Sequence, residues 1–137
     1  MNRVHHLTFV VRDLEASLAR FCRDFAVGAV HKEELSDRGV LTARFLSGDL
    51  WFVLVQPVSD GIPMQHLHEH GEGLLLVSFH TPDLDFALAD FAARGVKPRG
   101  TRREGVSNWQ VVDLASDAVP GSVAQLCLDA ELRNVPG

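Results

Sequence analysis

Two β-α-β-β-β modules in an α+β fold are predicted for this chain by three observations. A stretch of sequence is repeated, short strands of alternating pattern surround both copies, and a helix-period apolar stripe follows the first strand of each. The repeat is read from His6 to Phe21, HLTFVVRDLEASLARF, and again from Leu76 to Phe91, LVSFHTPDLDFALADF. Phe9 matches Phe79, Asp13 matches Asp83 and Leu14 matches Leu84. Leu18 matches Leu88, Ala19 matches Ala89, Phe21 matches Phe91, and Thr8 meets a like hydroxyl in Ser78. At 137 residues the chain suits one domain over 1–137. Module one covers about 4–57, a connector 58–73, and module two about 74–129.

Composition narrows the class. Apolar residues make up 46% and charged residues 23%, an ordinary globular mixture. A net charge of −5 gives no electrostatic reason to expect nucleic acid or an anionic membrane as partner. Arg99, Arg102 and Arg103 cluster near a loop and read as solvated surface. Cys22 and Cys127 fall in runs that look buried; two thiols make no disulfide framework, so a reducing compartment is the simpler reading. No basic-then-apolar leader and no apolar run of spanning length is present, so a cytoplasmic location is expected.

Taken in order, residues 4–11 (VHHLTFVV) are rich in β-branched and aromatic types and form a strand. Alternation puts Leu7, Phe9 and Val11 on one face and His6, Thr8 and Val10 on the other, with His5 opposite His6. Asp13 stands at a helix N-cap, and Leu14, Leu18, Phe21, Cys22 and Phe25 form the stripe that covers the Phe9 face. Gly28 closes that region. A strand is expected near 29–34, a turn at Ser36–Gly39, and strands over 40–46 and 50–56. Thr42 and Arg44 share a face with Val40; Trp51, Val53 and Val55 share a parity. The connector holds a short helix, PMQHLHEH, closed by Gly71. Module two repeats the scheme with a strand over 74–80, an Asp83-capped helix to about Arg94, and strands over 108–114 and 122–128. Residues 129–137 read as a frayed polar tail.

If the two modules join their sheets into a curved cup with helices outside, the inner side carries His6, Thr8, Thr42, Arg44, Ser78, His80 and Gln125. Trp51, Val53 and Leu76 lie beside them, with Trp109 a further wall. A few polar groups among apolar walls suit a small-molecule cavity. Arg44 and His80, near strand ends, are the ones expected to meet water; His6 and Gln125, nearer mid-strand, face inward.

These residues resemble the vicinal oxygen chelate superfamily of glyoxalases, bleomycin-resistance proteins, extradiol dioxygenases and methylmalonyl-CoA epimerases. The motifs are H-x5-R-D-L from His6, Gly39-Val40, V-Q-P-V-S-D from Val55, and G-E-G-L from Gly71. Ordering and spacing are most similar to the epimerases, which implies paired modules and a homodimer. In that family a divalent metal is held by four side chains, whose positions here are His6, Val53, Leu76 and Gln125. The two carboxylates of epimerase chemistry map to Thr42 and Gln125. Aliphatic side chains cannot ligate, and neither Thr nor Gln titrates near neutral pH, so no metal or other cofactor is expected. A weak divalent site would have only His6 and Gln125.

The function expected is metal-independent binding of a small molecule, with Thr8, Thr42, Arg44, Trp51, Val53, Leu76, Ser78, Trp109 and Gln125 around the ligand. The alternative is an isomerase or lyase acting on an acyl thioester or carboxylate, with His6 as catalytic acid and base. A third reading is a degenerate paralogue assembled with a catalytic partner. His66, His68 and His70 form an HxHxH that reads as a solvated connector helix.

Overall fold

A computed structural model describes residues 3–132. Of the expected polar tail, residues 133–137 lie outside the described residues. The elements are β1 (Arg3–Val10), α1 (Leu14–Asp24), β2 (His31–Leu35), β3 (Val40–Ser47), β4 (Leu50–Pro57) and α2 (Ile62–His70). They continue with β5 (Gly73–His80), α3 (Leu84–Ala93), β6 (Arg103–Glu104), β7 (Gln110–Leu114) and β8 (Val123–Leu128). Single 3-10 turns occupy Ser36–Arg38 and Val106–Asn108. No described helix is long and apolar enough to cross a membrane.

The chain divides into two compact units. The first is His6–Leu75; the second runs from Leu76 onward and includes the start of β1 through His5. Each has the expected β-α-β-β-β order, making an α+β fold.

In the first unit the strand order is β2-β3-β4-β1, with β1 parallel to β4 and the other pairs antiparallel. The register sets Thr8 beside Val53 and Val53 beside Arg44, while Phe9, Leu54 and Ala43 form the neighbouring row. Alternation then sends these rows to opposite faces. The Phe9 row is covered by α1, where Leu14 and Leu18 bury against Ala43, Phe45 and Leu54, with Phe21 and Phe52 packed around them. Burial of each such side chain contributes roughly 1.5–3 kcal/mol, so this layer is the main stabiliser of the unit. Asp13 caps α1 by accepting the Ala16 N–H at 3.0 Å, and Gln56 Oε1 accepts the Leu14 N–H at 2.8 Å. Two of the helix's otherwise unpaired first N–H groups are thereby satisfied.

Two stripe members depart from expectation. Cys22 is exposed, and Phe25 is 65% exposed. Cys22 follows Phe21 directly, so it lies about 100° round the helix from the buried line. Phe25 is already past the helix as its C-cap, in extended backbone.

The second unit repeats the plan, with order β5-β8-β7-β6 and β5 parallel to β8. Leu84 and Ala87 of α3 bury against Val112, Leu114, Ala124 and Leu126. Asp83 caps α3 through the Phe86 N–H at 3.0 Å. Even the strand exits match. Val11 N–H donates to the Val55 carbonyl at 2.9 Å in the first unit, and Thr81 N–H to the Cys127 carbonyl at 2.9 Å in the second. β6 was not anticipated, because a two-residue strand is too short to show a period.

Candidate functional site

The face of each sheet turned from its helix carries the chemistry. In the second unit, the β5–β8 register sets Ser78 beside Gln125 and His80 beside Cys127, and β7 sets Asp113 beside Gln125. Ser78, His80, Gln125 and Asp113 are all buried. Gln125 donates its amide N–H to Asp113 Oδ1 at 3.0 Å. Arg103 reaches both Asp113 oxygens from β6 at 3.3 Å each. Arg103 is therefore a half-buried partner of a buried carboxylate, where its cluster had read as solvated surface.

At the other end of this row lies His5, 1% exposed. Its Nε2 is 2.8 Å from Asp129 Oδ2, and its Nδ1 is 3.7 Å from the Cys127 thiol. A carboxylate accepts only, so Nε2 carries the proton and Nδ1 offers its lone pair to the S–H. The His5 ring stacks on His80 at 5.9 Å and meets Trp109 edge-on at 4.5 Å. Trp109 is 5% exposed and is held by a 3-10 turn whose Ser107 and Asn108 have left-handed backbone (φ 54 and 59). Asp129 also accepts the Glu131 N–H at 3.0 Å, so the chain just past β8 is anchored and not frayed.

Burial sets the protonation of this row. It lowers the His5 pKa against the opposing pull of Asp129, and lowers that of His80 likewise. The Cys127 thiol is pushed up to about 12, first by burial and then by the Asp129 charge. Both imidazoles are thus neutral at neutral pH, and Cys127 is a protonated thiol with no nucleophilic character. Two side-chain atoms on this face, His80 Nε2 and Gln125 Oε1, are buried without a hydrogen-bond partner, and Ser78 Oγ has only the weak Cys127 sulfur beside it.

The corresponding face of the first unit is arranged differently. His6, Thr8, Thr42 and Val53 are all buried on it. Thr42 donates its hydroxyl to the Glu33 carbonyl at 2.7 Å. Arg44 lies 3.4 Å from the Glu33 carboxylate and 5.3 Å above the Trp51 ring, and His31 meets that ring edge-on at 6.0 Å. Arg44 and His80 were expected to meet water; the Arg44 side chain is 13% exposed and His80 9%. Glu33 for Arg44 and the Asp129 backbone for His80 make that burial tolerable.

Sequence reading missed His5, Arg103, Asp113, Cys127 and Asp129. Alternation gave no reason to place His5 with the polar row. Asp113, however, sits inside the apolar run Val111-Val112-Asp113-Leu114, and a carboxylate in such a run is itself a signal of a buried partner. On α2, His66 and His70 face each other with ring centroids 4.7 Å apart, and His68 and His70 are exposed.

The model of the Glyoxalase/Bleomycin resistance protein/Dioxygenase superfamily matches residues 5–112, and the chain belongs to that superfamily. Several of the most similar solved structures are methylmalonyl-CoA epimerases. One from Mycobacterium tuberculosis is 20% identical with a TM-score of 0.85, over 93% of this chain and 88% of its own. An epimerase solved with methylmalonyl-CoA and ammonium is 23% identical with a TM-score of 0.86, over 97% of this chain and 98% of its own. A Streptomyces coelicolor epimerase variant, solved with 2-nitronate-propionyl-CoA, is 23% identical with a TM-score of 0.87, over 98% and 99%. At such identities the likeness establishes the fold. No curated protein matches the sequence significantly. Superfamily membership supports a small-molecule-binding or isomerase-type role.

Two of the four side chains at the positions that the resemblance assigns to a metal cannot ligate one. Val53 and Leu76 are buried hydrocarbons with no lone pair to offer. Gln125 gives its N–H to Asp113 and offers only a neutral amide oxygen where the resemblance places a carboxylate.

Proposed function

We propose that this protein is a metal-independent small-molecule binder of the glyoxalase/bleomycin-resistance type, a single domain of paired modules. The observation that carries the reading is Gln125. Where the resembled epimerases place an anionic ligand, this chain has a neutral amide tied to Asp113, with a buried carbonyl oxygen left over. Unpaired buried polar atoms cost about 1–3 kcal/mol each, and a bound molecule recovers that cost. We assign Leu76, Ser78, Trp109 and Gln125 on the second unit, and Thr8, Thr42, Arg44, Trp51 and Val53 on the first, to ligand binding. The resemblance supports a homodimer, and two free cysteines are consistent with a cytoplasmic setting.

Three measurements test this together. Elemental analysis of tag-free protein is expected to give well under one metal per chain. Methylmalonyl-CoA in deuterated water is expected to exchange its α-proton no faster than in buffer. His6→Gln is expected to change fragment affinity, followed by amide NMR, by no more than about three-fold. Enzymatic exchange lost in His6→Gln would overturn the binding reading and install an isomerase with His6 as its acid and base.

A further inference from the structure

Among the described residues of the second unit, two unpartnered atoms and one weakly paired hydroxyl say what kind of ligand group completes them. Gln125 has turned its N–H toward Asp113, so only the acceptor Oε1 remains. His80 is bonded through its other ring nitrogen to the Asp129 backbone, in the sense that favours the protonated ring. The backbone group is therefore a carbonyl, and the unpartnered Nε2 carries a lone pair. Ser78, whose hydroxyl has only the weak Cys127 sulfur beside it, still offers a lone pair and stands beside Gln125 in the sheet register. All three side chains are at least nine-tenths buried: 0% exposed for Ser78, 3% for Gln125 and 9% for His80. Two acceptors and one hydroxyl on one stretch of β5 and β8 call for donors.

The charges around them agree. Asp113 and Asp129 are the two carboxylates of this face, Arg103 is held by Asp113, and the neutral His5 ring is held by Asp129. A carboxylate brought here would set acceptor against acceptor and lie near two like charges.

Resting on the small-molecule reading above, we propose that this face receives the donor-bearing end of its ligand, an alcohol, amide or ammonium group, and rejects a carboxylate. The apolar remainder of the ligand would lie against Leu76 and Val123, which share the face with Ser78 and Gln125.

The test uses benzyl alcohol, benzylamine and benzoate at pH 8, with binding followed by amide and side-chain NMR shifts on the full chain. Benzyl alcohol and benzylamine are expected to bind at least about ten-fold more tightly than benzoate, with shifts at Ser78, His80 and Gln125. Gln125→Met keeps volume but removes the acceptor, and is expected to shrink the preference to about two-fold. Should that variant fail to fold, Ser78→Ala and His80→Phe make the same comparison. Benzoate binding as tightly as benzyl alcohol, or an undiminished preference in the variants, overturns the proposal while leaving the protein a binder. If none of the three probes shifts these signals at 20-fold molar excess or up to their solubility limit, the binding reading falls and the proposal with it.

Discussion

The two units share one plan and differ on one face. Under α1 and under α3 the same kinds of side chain do the same work: a capped helix, a row of Leu and Phe, and a small Ala where strand and helix come close. On the opposite faces the first unit ties Arg44 to Glu33 and Trp51. The second unit strings Arg103, Asp113 and Gln125 along one stretch, and His5, Asp129 and Cys127 along the next. A helix-covered face tolerates little change, because each methylene removed leaves a cavity. The other face is free to diverge provided each charge keeps a partner. In a duplicated chain, the apolar layer preserves the memory of the repeat and the polar layer holds what is individual to each copy.

That contrast can be broken at its strongest point first. Leu54→Ala and Leu126→Ala, each at about 1% exposure or less, are expected to cost a similar 2.5–5 kcal/mol by urea unfolding. A difference beyond 2 kcal/mol would mean the two apolar layers are not equivalent. The polar faces should separate instead. Asp129→Ala strands a buried N–H of His5 and is expected to cost about 3 kcal/mol, whereas Glu33→Ala, which leaves Arg44 its contact with the Trp51 ring, should cost less, about 1–2 kcal/mol.

Mild acid should probe the second unit through His5 and His80. Burial lowers His5 and His80 below the usual value near 6.5, so the unfolded chain takes up protons that the folded chain refuses. Stability is therefore full above about pH 6.5 and declines as pH falls below it. The decline is expected to flatten in His80→Gln, with pH-dependent urea midpoints as the measure. The helix caps sharpen the likeness in turn: Asp13→Ala and Asp83→Ala should each cost about 1 kcal/mol and agree within 0.5 kcal/mol. The smallest expected effect belongs to the turn before Trp109. Ser107 and Asn108 are the only non-glycine residues of positive φ among those described, and both lie in the second unit. Ser107→Gly should stabilise by about 0.5–1 kcal/mol, seen as a rise of a few degrees in Tm.

The elements themselves were legible in the residues. Asp13 and Asp83 announce their helices because a short acceptor at that place satisfies backbone N–H groups locally. Thr42, Val53 and Gln125 could be assigned to faces because alternation in a strand is a local rule. Cys22 misled because a single helix position lies 100° from its neighbour, so a stripe drawn one residue too wide reaches water.

The chain by itself determined two strand-and-helix modules, their caps and which side of each strand is apolar, since all of these follow from interactions within a few residues. Tertiary structure alone decided the polar partners. His5 meets Asp129 across 124 positions and Gln125 meets Asp113 across 12, the second because β7 and β8 pair and the first because folding brings the start of β1 to the end of β8. Those long-range neighbours make one imidazole an N–H donor to a carboxylate and leave one amide oxygen waiting for a donor, and no local pattern carries that information.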